Sequence, residues 1–87
     1  MHAIVLVKLR GKMTKELNDK LTSVIKAQPM GVKVHSVYWT LGRYDVVIIA
    51  EAPDEKAAMA ILLQFGSEIA SETLIAIPRD EALTLLK

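Results

Sequence analysis

No cysteine occurs among the 87 residues. That excludes a disulfide framework, a thiolate metal site and a cysteine nucleophile. Aromatic residues are nearly as scarce, with one Trp, two Tyr and one Phe. The four glycines stand apart at 11, 31, 42 and 66, so no glycine-rich loop can cradle a phosphate. Ser36, Ser67 and Ser71 lie in no G-x-S-x-G elbow, which removes the commonest signature of a serine nucleophile. No histidine and carboxylate share a helix at i, i+3 or i+4, so no metal and no cofactor are expected. Long apolar runs are missing too. Val46 to Ala50 is a short one and Ala57 to Leu63 the longest, both far short of the ~20 residues of a membrane span. Met1 to Lys8 lacks the basic leading region and the length of a signal peptide. The expected compartment is therefore the cytoplasm, with no membrane partner.

What is present is apolar for so short a chain: 52% of residues are hydrophobic and 24% charged. A single domain of this size buries only about 60–65% of its unfolded surface, so part of that apolar content is available to a partner. Net charge is +1 but unevenly placed. Residues 1–43 hold eight Lys/Arg against Glu16 and Asp19, whereas residues 44–87 hold three against eight carboxylates. Such a split steers association or a charged ligand.

The chain resolves into six main elements. Ala3-Ile4-Val5-Leu6-Val7-Lys8-Leu9 is short and β-branched, a strand. Thr14 is placed to cap a helix whose apolar face is Leu17, Leu21, Val24 and Ile25, and Pro29-Met30-Gly31 ends it. Val32–Thr40 and Asp45–Glu51 are strands joined by a hairpin, with Gly42-Arg43 as a two-residue type II′ loop. Asp54 caps a second helix with the stripe Ala58, Ile61, Leu62, Phe65 and Ile69. Ser71–Ile77 is the last main strand, and Arg79–Lys87 a short helix with Ala82, Leu83 and Leu86 inward. The order βαββαβ plus a tail predicts an α+β fold, the ferredoxin-like arrangement, as one domain over residues 1–87.

The register that follows pairs Leu41 with Tyr44, Thr40 with Asp45 and Trp39 with Val46. It puts His35, Val37, Trp39, Tyr44, Val46, Ile48 and Ala50 under the helices. Val34, Ser36, Tyr38, Thr40, Asp45, Val47, Ile49 and Glu51 then face away. Both sets are apolar, as are both sides of the first strand. A sheet covered by helices on one face only needs a second layer, and another copy of the chain supplies it most simply. Burying about 600–800 Å² per chain at ~25 cal/mol per Å² offers up to ~15–20 kcal/mol before association costs. A homo-oligomer is expected, a dimer or a multiple of dimers forming a dimeric α/β barrel. RNA-binding domains of this topology carry stacking aromatics on strands one and three. Neither strand has one here, so nucleic-acid binding through the sheet is not expected.

The stretch from Val37 to Asp54, with Gly42-Arg43-Tyr44-Asp45 at its centre, resembles a GYD-domain protein, a family named for a Gly-x-Tyr-Asp hairpin. Ser71–Ile77 resembles its last strand, so the likeness covers roughly residues 30–80. Residues 1–28 depart from the longer N-terminal loop of the family. More distantly, the same turn resembles the effector-binding domain of Lrp/AsnC-type regulators. That likeness implies amino-acid-like ligands held between subunits. With no helix-turn-helix ahead of the domain, a complete regulator is not expected, whereas a stand-alone sensing domain stays open.

The residues themselves suggest Arg43, Tyr44, Asp45, Tyr38 and Glu51 as ligand contacts. Arg43 can clamp a carboxylate or a phosphate at the hairpin tip. Tyr44 can bury its ring and present its hydroxyl, and Asp45 can accept turn amides or the Thr40 hydroxyl, a role that would equally latch the hairpin. The ligand class is a small carboxylate or an amino-acid-like molecule. The rival reading is an enzyme, of the cofactor-free monooxygenase or isomerase type, using His35, Tyr38 or Trp39 in a cleft between sheet and helices. By the register above His35 and Glu51 lie on opposite faces.

Overall fold

The computed structural model describes residues 1–86. In order along the chain come β1 (His2–Leu9), α1 (Lys15–Ala27), β2 (Lys33–Trp39), β3 (Val46–Glu51), α2 (Glu55–Leu63), β4 (Ile69–Ala76) and α3 (Arg79–Leu83). The four strands form one sheet in the order β2-β3-β1-β4, with every neighbouring pair antiparallel. This is the ferredoxin-like α+β architecture that the order of elements predicts.

The caps act as the sequence indicates. Thr14 Oγ1 accepts the Leu17 amide at 3.1 Å, and Asp54 Oδ1 accepts the Ala57 amide at 2.9 Å. Each satisfies one of the orphan donors of a first helical turn. α1 ends one residue before the Pro-Met-Gly break, because Gln28 itself turns left-handed at φ +47°. α3 is shorter than expected. It closes at Leu83, and Leu83 and Leu86 are exposed rather than inward; Lys87 lies outside the described residues.

β1 sits in the middle of the sheet and its side chains alternate. Ala3, Val5 and Val7 are buried on the helix side, where Val46 and Ala50 of β3 meet them. Ile4 and Leu6 point the other way, beside Val47 and Ile49 of β3 and Leu74 of β4. α1 and α2 both cover the first face. Ile49 and Leu74 are exposed, and the second face carries a band of aliphatic side chains.

One bulge corrects the expected register. Val37, Tyr38 and Trp39 pair with Ile48, Val47 and Val46 as predicted, but past Ser36 the register shifts and Val34 pairs with Ala50. His35 is the extra residue. Without it Val34 would face outward and His35 would enter the core. With it Val34 packs on the buried cluster of Val32, Ala50, Ala52 and Ala57, and the imidazole stays in water.

Two single-residue deletions test this. Removing His35 should leave both faces of β2 in register and the protein folded. Removing Val34 instead draws His35 inward and should cost at least about 2 kcal/mol more, measured by urea unfolding of the two variants.

Candidate functional site

The hairpin is wider than a two-residue loop. Its last rung is the Thr40 amide donating to the Asp45 carbonyl at 2.9 Å, leaving Leu41–Tyr44 as a four-residue turn. Two interactions open it. The Thr40 hydroxyl donates to the Tyr44 carbonyl at 2.6 Å. The Asp45 amide donates to Val7 O at 2.8 Å, although the Cα partner of Val7 is Val46, so the ladder slips by one residue at Asp45. Gly42 holds φ +126°, and a Cβ there would meet no neighbour. The glycine is needed for its backbone angle and not for space.

That slip re-aims Asp45. Its Oδ2 accepts the Leu9 amide at 2.8 Å, so the carboxylate closes the end of β1 rather than binding turn amides or the Thr40 hydroxyl. Tyr44 does the matching job on the far side of β1. Its hydroxyl donates to Glu72 Oε2 of β4 at 2.7 Å, and Glu72 pairs with Leu6 on the open face, so Tyr44 is not under the helices. The bond to Glu72 raises the Tyr44 pKa above its ordinary 10.0, with partial burial and the Glu72 charge adding to it and Arg43 opposing. Arg43 stacks its guanidinium 5.8 Å from the Tyr44 ring, and Lys8 Nζ donates to the Arg43 carbonyl at 3.3 Å. The hairpin is thereby tied to β1 by Asp45 and Lys8 and to β4 by Tyr44.

A second cluster stands at the other end of β3. Because of the bulge, His35 faces Glu51 after all, with Nε2 3.6 Å from Oε2. His2, opposite Glu51 across the ladder, brings Nδ1 to 3.4 Å from Oε1. One carboxylate thus lies between two imidazoles at distances too long for hydrogen bonds. Sequence reasoning missed His2, Glu72 and Leu9 altogether. Their roles depend on which strand lies beside which, and no local motif announces that.

The five candidate ligand residues therefore do not converge. Arg43, Tyr44 and Asp45 gather at the hairpin, and Tyr38 lies along the open face beside Val47. Glu51 stands six residues from Asp45 along the strand, about 20 Å at ~3.4 Å per residue. The enzyme constellation is dispersed as well. A cavity of about 80 Å³ does lie between sheet and helices, but every side chain lining it is apolar and His35 is not among them. Trp39 borders a separate pocket of about 250 Å³ at the hairpin with Thr40, Leu41 and Asp45. Among the described residues no group of three or more His, Asp or Glu side chains, the His2, His35 and Glu51 cluster included, is arranged to hold a metal ion. No helix among them is long and apolar enough to cross a membrane.

The model of the GYD domain matches residues 5–86. The chain belongs to the GYD domain family. No protein of curated function matches the sequence. Among solved structures, a transcriptional regulator from Neisseria meningitidis, crystallised as its L-Met complex, superimposes with a TM-score of 0.62 at 15% identity. The match covers 90% of this chain and 50% of the regulator, so the GYD chain spans half the length of that protein. At this identity the likeness is one of fold. In this GYD domain the three signature residues all shape the hairpin: Gly42 through its backbone, Tyr44 and Asp45 through bonds to other strands.

Asp45→Ala leaves the Leu9 amide without its acceptor and should cost about 1–3 kcal/mol in urea unfolding, while Asp45→Asn, which keeps an acceptor oxygen, should cost less than half as much. In a Tyr38→Phe background, Glu72→Gln should move the phenolate absorbance transition of Tyr44 to lower pH. Because the folded-state value is raised, the stability from this bond is complete below pH 10.0 and lost as pH climbs through the Tyr44 transition.

Proposed function

We propose that this chain is a small-ligand-binding regulatory module that works in the cytoplasm as a homodimer or a multiple of dimers. One observation carries the reading: Ile4, Leu6, Val47, Ile49 and Leu74 lie together on the face turned away from α1 and α2. A second copy packed there through a twofold would bury that band and bring two hairpins to the edges of one interface. Arg43 then offers an anion anchor at the subunit boundary, with Tyr38 and Tyr44 as walls. The ligand that fits is a small carboxylate or an amino-acid-like molecule, and the regulator of similar fold was itself crystallised with L-Met. Glu51, remote from the hairpin, belongs to the opposite edge of the same interface.

Native mass spectrometry should find an even multiple of the 9.6 kDa chain. Leu6→Lys, which sets a charge into the band, should return it to single chains. Equilibrium dialysis against free amino acids and small carboxylates should show saturable binding that weakens about tenfold or more in Arg43→Gln, the loss expected for one charge-assisted contact. A wild-type monomer would overturn the packed-sheet reading. Absence of binding at millimolar ligand would overturn the ligand reading.

A further inference from the structure

The apolar cavity and the hairpin pocket are neighbours. Leu9, Met13 and Val46 line both, so the two spaces share a wall. The inner one holds about 80 Å³, room for roughly three water-sized groups at ~30 Å³ each. Its walls offer no hydrogen bond, so water is a poor occupant and a branched alkyl group a good one. The outer pocket is different in kind. It is lined by Asp45, Thr40 and Trp39, which is 67% exposed, beside Leu41.

A carboxylate beside an exposed indole is a setting for a cation. Asp45 is the ionisable side chain in the lining of that pocket, and its bond to the Leu9 amide uses Oδ2. Three of the basic side chains close in sequence to the lining have partners of their own. Lys8 reaches the Arg43 carbonyl, Arg10 Nε donates to the Ile69 carbonyl at 3.2 Å, and Arg43 lies over Tyr44. The geometry points to a binding site within a single chain for a small aliphatic amine. Its ammonium sits between Asp45 and Trp39, and its branched alkyl group passes Leu9, Met13 and Val46 into the cavity. The site goes beyond the regulatory reading above, since it needs no second subunit and selects the opposite charge to the Arg43 anchor.

Trp39 is the chain's single tryptophan, so its emission reports on this mouth directly. The 87-residue chain is titrated with 3-methylbutylamine, with 3-methylbutanol and with 3-methylbutanoate, three molecules of one shape and different charge. The amine should shift the emission saturably, the alcohol should bind at least about tenfold more weakly, and the acid should give no saturation. Asp45→Asn, which keeps an acceptor for Leu9, should weaken the amine about tenfold. Ala58→Leu, which fills the cavity from α2, should do the same while the unfolding midpoint holds or rises.

Equal binding of amine, alcohol and acid would overturn the role of Asp45. Unchanged amine affinity in a folded Ala58→Leu protein would overturn the role of the cavity. No saturation by the amine up to tens of millimolar would overturn the site outright. If amino acids or carboxylates were still retained on dialysis, the ligand reading of the preceding section would stand without it.

Discussion

The rest of this structure depends on a sheet that is apolar on both sides while α1 and α2 cover only one. β1, in the middle, sends Val5 and Val7 to the helices and Ile4 and Leu6 to the other face. The buried core is correspondingly thin. It is made of small and medium side chains, with Leu17 and Phe65 the largest of them, and a cavity remains between the layers. A chain of this length gains limited stability from one core. The uncovered aliphatic band is therefore a reserve of burial that a second layer can use.

Two irregularities in the ladder decide where the polar groups go. The bulge at His35 keeps an imidazole out of the core and lets Val34 in, and by doing so brings His35 to Glu51. The slip at Asp45 turns a side chain that regular alternation would send outward toward the Leu9 amide instead. At His35 the regular alternative would bury an imidazole and turn Val34 outward, and at Asp45 it would take the carboxylate away from the Leu9 amide. The charged halves of the chain are joined by similar means: Lys20 of α1 meets Glu68 at 2.8 Å, its ammonium 5.0 Å from the Phe65 ring.

The family signature acquires a physical meaning from this arrangement. Gly42 permits the turn, Asp45 caps the end of β1, and Tyr44 reaches across β1 to β4. A motif that holds three strands in place can persist through changes of ligand or partner, which is how one fold serves different sites.

The amino-acid sequence by itself determined the elements and their order. β-branched runs made the strands, Thr14 and Asp54 set the starts of two helices, and the apolar residues on alternating positions of β1 declared a sheet greasy on both faces. These signals are local, carried by neighbours within a turn of helix or two residues of a strand. Only the tertiary structure decided that His35 faces Glu51, that His2 joins them, that Asp45 serves Leu9, and that Tyr44 finds Glu72. Each of these contacts joins residues from different strands, and a one-residue shift of register reverses the face on which a side chain lies. Burial energy summed over the whole sheet, not local preference, chooses where that shift falls.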